Sequence, residues 1–310
     1  RAAAWLALCA TWALGRDAAP AGALRVTFLD VGQGDAALVE LPGGQVWLID
    51  AGGQAGARTL AQAAAPGHVI DRALAAYGRA RIDLALLSHP HPDHYLGLAA
   101  IEAPIGALWL AADTAAADPR RPPAVALPGL AAIAARLALA GTVIAHPPLG
   151  LVAERDGVTL TVWGPRDRSA AGAADAPGAP PRCAADPVRS VNDNSLVVAI
   201  GYRGRRILFT GDVEAEGEDE LVAAGVGPVD VVKVPHHGSP TSSGAALVAA
   251  THPRLAVISC GQANSFGFPS PEVVARWQAA GAAIARTDRD GAIQVTIDDA
   301  GALAIARPTP

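Results

Sequence analysis

Between Leu24 and Asp50 apolar and polar positions follow each other as strand, turn, strand, strand: LRVTFLDVG, AALVEL, a Pro-Gly-Gly turn, then QVWLID. The pattern predicts a helix around Val69 to Tyr77, then a strand IDLALLS, and a short helix and strand over Ala99 to Leu110. LAAIAARLALAGTVIA has the spacing of an amphipathic helix that leads into another strand. Residues 111–129 are a Pro- and Ala-rich connection. Residues 166–190, built from Ala, Gly and Pro, are expected to be a flexible surface insertion.

A second strand-rich block follows, and it matches the first feature by feature. QGDAALVELPGGQVWLIDAGG and IDLALLSHPHPDH lie beside NDNSLVVAIGYRGRRILFTGDVE and VDVVKVPHHGS. Each block has a polar residue opening a strand (Asp35, Asn194), an aspartate ending the next (Asp50, Asp212), and histidines ending a third (His89 onward; His236 and His237). A pseudo-duplication of two halves is expected, with a site between them.

Composition narrows the class. With 310 residues and 51% hydrophobic content the chain can bury a large core. A formal net charge of -5 excludes the broad basic surface of a strong nucleic-acid binder, so any such contact is local and transient. Cys9, Cys183 and Cys260 have neither zinc-ribbon spacing nor a readable disulfide pattern. The apolar stretch Ala2 to Gly15 carries Trp5 and Trp12 between Arg1 and Arg16. It is expected to be the remnant of a transmembrane helix and linker over 1–19, with a buried helix or signal-peptide core as alternatives. Residues 20–310 are then one folded domain that carries the 166–190 insertion.

The chemistry sits in LLSHPHPDHYLG, residues 86–97. In an extended segment His89 and His91 point the same way and can grip one ion, and Pro90 and Pro92 favour that geometry in the residues before them. Past Pro92 a helix is expected to turn Asp93 and His94 toward a second ion nearby. Asp212, after the strand RILFTGD, offers two divergent oxygens and can bridge two ions; a helix cap is its structural alternative. His236 and His237 follow VDVVKVP. Adjacent side chains point apart, so one of the two is expected to bind metal, and spacing leaves the choice open. Lys233, the only lysine, is either a contact for an anionic substrate or a snorkelling strand residue. Ser239 is a second candidate for contact with that substrate. His68, His146 and His252 are expected to be structural.

HPHPDH, with an Asp-ended strand before it and TGD and PHHGS after it, resembles the metallo-β-lactamase superfamily. More narrowly, FLDVGQGDAALVELPGGQVWLIDAGG, NDNSLVVAI, ILFTGD, VKVPHHGS and RTDRDGAIQV are similar to the C-terminal domain of the ComEC family of DNA-uptake competence proteins. The resemblance implies an α/β fold, a four-layer αββα sandwich of two pseudo-repeated halves with a dinuclear site. It implies that His89, His91 and Asp212 serve one metal, and that Asp93, His94, Asp212 and either His236 or His237 serve the other. Asp50 supports the cluster from outside, and Asp35 is grouped with it as a supporting or substrate-facing residue. The superfamily's further histidine before the TGD strand is absent; Asn192 and Asn194 occupy that region. An amide oxygen is a harder ligand than imidazole, so two divalent ions, zinc or manganese with magnesium possible, are expected. Phe268 stands where related sequences tend to have histidine.

The implied reaction is metal-assisted hydrolysis of a phosphodiester, with Asp93, Lys233 and Ser239 as catalytic candidates. The resemblance makes DNA the substrate, one strand being degraded during natural transformation beside a membrane channel formed by the rest of the polypeptide. It places the domain on the periplasmic or extracellular side of the cytoplasmic membrane. Two rival expectations are a hydrolase of a small phosphoester or lactone, and a non-catalytic domain that guides DNA or fixes the channel's architecture.

Overall fold

The computed structural model describes residues 19, 21–54, 56–112, 128–166 and 183–308. The apolar opening segment, most of the 111–129 connection and the centre of the 166–190 insertion lie outside the described residues. In chain order the strands are β1 (Leu24–Phe28), β2 (Ala36–Glu40), β3 (Val46–Ala51), β4 (Ile82–Leu86), β5 (Ile105–Trp109), β6 (Val143–Ala145), β7 (Val152–Arg155), β8 (Val158–Gly164), β9 (Val197–Tyr202), β10 (Arg205–Phe209), β11 (Val231–Lys233), β12 (Leu255–Ile258), β13 (Ala283–Arg286), β14 (Ile293–Ile297) and β15 (Leu303–Ala306). They form two mixed sheets, ordered β15-β14-β1-β2-β3-β4-β5-β6 and β13-β12-β11-β10-β9-β8-β7.

Alternation along each strand decides which residues fill which layer. Leu24, Val26 and Phe28 of β1, Ala37 and Val39 of β2, and Trp47 and Ile49 of β3 point into a core between the sheets. Val198, Ile200 and Tyr202 of β9, with Ile207 and Phe209 of β10, meet them from the other sheet. Phe28 and Phe209 stack across the gap with ring centroids 5.5 Å apart. Full burial of one such ring contributes about 1.5–3 kcal/mol.

The intervening positions face outward under helices. Leu38, Leu48 and Ala85 pack beneath the helices Pro66–Ala76 and Leu130–Leu139, which turn Ile70 and Leu74, and Leu130, Ile133 and Leu137, toward them. Val197, Leu208, Val232 and Ala256 pack beneath the helices Ala215–Ala223, Ala245–Thr251 and Pro271–Ala279, through Leu221, Leu247, Val248, Val273 and Trp277. The chain thus forms the expected αββα sandwich. The two halves share a topology: β2 and β3, like β9 and β10, are an antiparallel pair followed by a parallel strand, β4 or β11.

Of two further arrangements, the first was not addressed by the sequence expectation and the second departs from it. The last strand pair, β14 and β15, returns to the first sheet, where β14 pairs antiparallel with β1. The end of the 166–190 segment is not loose surface chain: Cys183 and Ala184 are buried and bridge to Arg166 and Ala112. The carboxyl ends of β3, β4, β10, β11 and β12 all reach one edge of the sandwich, and β2, antiparallel to β3, starts there. A site at that edge can draw on both halves.

Candidate metal centre

Each donor is held by the strand end that carries it. After β4 the chain runs through Ser88 and His89 to an extended His91 (φ -84, ψ 142), and Pro92 opens the helical turn Pro92–Tyr95 with Asp93 and His94 inside it. This is the extended-then-helical course expected of HPHPDH. Gly34, before β2, lies against this turn with φ +132; a Cβ there would stand 2.2 Å from the Asp93 carbonyl oxygen, so only glycine allows the contact. Gly211, before Asp212, has φ +55, and a Cβ would meet Ser195 and Ser88 at 2.7–2.8 Å. There the two halves touch.

The side chains converge on Asp212. Its Oδ2 lies 3.2 Å from His94 Nε2, 3.3 Å from His237 Nε2 and 3.8 Å from His89 Nε2. His237 Nε2 is also 3.5 Å from Asp93 Oδ2. His89 with His94 and Asp212, and Asp93 with His94 and His237, are triplets whose donor atoms lie within 4.8 Å of one another. Asp35 joins two further triplets, with Asp212 and His237 and with Asp50 and His94. His91 stands with His89, Nδ1 to Nε2 3.0 Å.

The adjacent histidines, between which spacing left the choice open, differ in their geometry. His237 is fully buried and its Nδ1 is 2.9 Å from the Ser259 carbonyl oxygen, which leaves Nε2 pointing at Asp93 and Asp212. His236 keeps 21% of its side chain exposed and its Nδ1 lies 3.3 Å from Glu214 Oε1. His94 is aimed in the same way as His237. Asp50 accepts hydrogen bonds from the Ser88 amide (2.7 Å) and hydroxyl (2.7 Å), and its Oδ2 lies 3.0 Å from His94 Nδ1. Such an outer carboxylate fixes the tautomer that presents Nε2 to an ion.

Three expected site residues have other work. Lys233 does not reach out to substrate and does not snorkel: it is buried, ion-paired with Asp35, 3.4 Å from Asp212 Oδ1, and donates to the Gly211 carbonyl at 3.2 Å. Ser239 is buried, and its hydroxyl pairs with Thr241 Oγ1 at 2.8 Å. Asn194 is turned into its own loop, where it accepts from the Asp186 amide and donates to the Asp186 and Ser190 carbonyls. Asn192 has a buried Oδ1 without a hydrogen-bond partner. Ser88, Ser259 and Ser195, whose Oγ accepts from the Asp212 amide at 3.0 Å, were missed because serines at strand ends carry no spacing signal. Glu214 was missed as well, although it follows Asp212 by two positions.

The donor set fits divalent ions. His94 Nε2, His237 Nε2 and Asp35 Oδ1 are buried without a hydrogen-bond partner, an arrangement that costs free energy unless a cation fills the space between them. Burial alone would raise the Asp212 and Asp93 carboxyls. His237, His94 and Lys233 overcome it at Asp212, which is held well below the usual carboxylate range, and His237 and His94 bring Asp93 down to about 2. Burial, reinforced by the neighbouring His94, pushes His89 well below the usual imidazole value and keeps it neutral. His94 and His237 are raised, because Asp212 with Asp50 or Asp35 outweighs their burial.

Fold and donor set together define a metal-dependent hydrolase. A model of the metallo-β-lactamase superfamily matches residues 29–159 and 190–262, more than half of the chain, and the chain belongs to that superfamily. Among curated relatives, 114 residues are 39% identical to ComE operon protein 3 of Bacillus subtilis, and 117 residues are 36% identical to competence protein ComA of Neisseria gonorrhoeae. Recombination protein 2 of Haemophilus influenzae is 35% identical over 107 residues. These matches cover 34–36% of this chain and 14–17% of the relatives, so the chain spans under a fifth of their length. The solved structure of Tm1679, a metal-dependent hydrolase of the beta-lactamase superfamily, has a TM-score of 0.50 at 14% identity, covering 92% of this chain and 100% of that one. A mutant of the CmlA beta-hydroxylase gives 0.51 at 17% identity over 89% of this chain and 54% of that one. These two structures share the fold.

Proposed function

We propose that the chain is a metal-dependent phosphodiesterase that cleaves one DNA strand during DNA uptake, as part of a membrane protein and on the outer side of the cytoplasmic membrane. The observation that carries the chemistry is the convergence of His89, His94, His237, Asp93 and Asp212 on a buried point between the two halves. The similarity to competence proteins supports the substrate and the setting. Among the described residues no helix is long and apolar enough to cross a membrane.

His89, with His91 beside it, and Asp212 would hold one divalent ion, and Asp93, His94, His237 and Asp212 a second. Ions held there would supply a water-derived nucleophile near neutral pH and would offset charge on the phosphodiester. The chain's own groups prepare that chemistry. Asp50 orients His94 and the Ser259 carbonyl orients His237. Lys233 neutralises Asp35 and one edge of Asp212, which leaves Oδ2 of Asp212 turned to the histidines. Asp93 and His236 each keep 21% of the side chain exposed, whereas the Asp212 and His237 side chains keep 3% or less, so substrate enters past Asp93 and His236.

The test is manganese- and zinc-dependent cleavage of single- and double-stranded DNA by the wild type and by Asp93→Ala. Metal-dependent cleavage that disappears in the variant supports the proposal. Absence of cleavage with either metal, in protein that binds the ion, overturns it and favours the architectural role.

A further inference from the structure

The mouth of the metal centre carries aromatic groups that hydrolysis does not use. The chain has four phenylalanines. Phe28 and Phe209 stack in the core; Phe266 and Phe268 stack at the mouth, centroids 5.5 Å apart and 19° from parallel. Phe268 meets His236 edge to face at 5.6 Å, and His236 Nε2 is 4.0 Å from Asp212 Oδ2. One continuous run of rings therefore leads from the metal centre to Phe266, which is 55% exposed.

The loop bearing these rings is braced. Asn264 accepts from the Phe268 amide at 3.0 Å and donates to the Phe268 and Gly261 carbonyls at 2.7 and 2.9 Å. A ring on such a loop is presented to solvent with its ordering cost already met within the fold, which favours its use in binding.

We propose that Phe266, backed by Phe268, is a stacking platform for an unpaired nucleobase of single-stranded DNA, a nucleotide or two from the phosphodiester at the metal centre. The proposal rests on the phosphodiesterase reading above. Two features of the chain favour this occupant. A net charge of -5 leaves little backbone attraction for a polyanion, so affinity has to come from elsewhere, and every base offers a π-face whatever the sequence. The bases of an intact duplex stack on one another, so the platform selects single strands.

The test compares the wild type with Phe266→Ala and Phe266→Trp, using the full chain. Fluorescence of 2-aminopurine in a single-stranded oligonucleotide, and of an end-labelled abasic oligomer of the same length, reports binding in Ca²⁺ and in EDTA. Cleavage of both oligomers is followed in Mn²⁺. A stacked base contributes enough that Phe266→Ala weakens binding of the base-bearing strand about tenfold or more, and Phe266→Trp restores it. The abasic oligomer is bound equally by all three proteins, and the melting temperature of Phe266→Ala is that of the wild type. Equal effects on both oligomers, no effect on either, or a wild type that does not quench 2-aminopurine overturns the platform. Base-dependent binding in a protein that cleaves nothing would sink the phosphodiesterase reading and leave the platform standing; base-blind cleavage would do the reverse.

Discussion

Lys233 Nζ lies 3.4 Å from Asp212 Oδ1, while Oδ2 of the same carboxylate faces His94 and His237 at 3.2 and 3.3 Å. One oxygen is thus held by the protein's own cation and the other is left for ions. Lys233 also pairs with Asp35, so a single buried ammonium offsets two buried carboxylates. Coulombic attraction from Asp35 and Asp212 raises its pKa against the opposing effect of burial.

Loss of Lys233 should therefore be felt most when no metal is present. Lys233→Met leaves Asp35 and Asp212 buried without their cation, and removal of one partner from such a pair costs about 3–5 kcal/mol. The expected outcome is a urea midpoint lowered accordingly in EDTA, with part of the loss recovered when Mn²⁺ or Zn²⁺ is added, because the ions neutralise the same carboxylates. A variant destabilised equally with and without metal would separate Lys233 from the metal centre.

Asp50 acts through His94 and is a positioning residue. In Asp50→Asn the amide cannot accept at every point where the carboxylate met Ser88 and His94. Metal affinity should fall about 10–100-fold, the usual cost of losing an outer partner of a ligand. Ser88→Ala, which keeps the carboxylate, should cost less. Calorimetric titration with Mn²⁺ measures both, and an unchanged affinity in Asp50→Asn would contradict the orientation of His94 described above.

The elevated pKa values of His94 and His237 give metal binding a sign with pH. Both imidazoles are raised above the ordinary value by Asp212 with Asp50 or Asp35, so the metal-free centre holds extra protons at pH values where free histidine is neutral. A divalent ion takes the lone pairs those protons occupy, so binding releases protons and affinity falls as pH falls. Titrations in two buffers of different ionisation enthalpy count the released protons. A heat independent of the buffer would mean that neither imidazole loses a proton on binding.

The fold was legible because its layers are built from alternation that local sequence displays: Leu24, Val26 and Phe28 face one core, and Leu38 and Leu48 another. The first claw of the site was legible because His89, His91, Asp93 and His94 are near neighbours in the chain. What sequence could not supply was direction. Lys233, Ser239 and Asn194 lie at the right strand ends, yet their side chains are committed to Asp35, to Thr241 and to the loop at Asp186, partners that only the closed fold brings near. The choice of His237 over His236 likewise depends on Ser259, which arrives from β12. The return of β14 to pair with β1 joins the two ends of the described chain, and no local pattern announces it.

A group outside the metal centre sets a separate pH dependence. Glu218, on the helix Ala215–Ala223, is buried, and its carboxylate accepts from the backbone amides of Ser243 and Gly244 at the start of the helix Ala245–Thr251. Burial pushes its carboxyl from 4.5 up to about 7, although those two amides pull the other way. An acid whose folded pKa is raised binds more protons folded than unfolded between the two values, so folding loses stability as pH rises through that window. The full span of the shift corresponds to about 3 kcal/mol. Relative to Glu218→Gln, which cannot ionise, the wild type should thus become less stable as pH rises from 4.5 to about 7, and the difference should level off beyond. Urea unfolding of both proteins in EDTA across that range measures it, with EDTA removing the contribution of bound metal. Parallel curves would show that the Glu218 carboxyl titrates folded as it does unfolded, the two amides offsetting its burial.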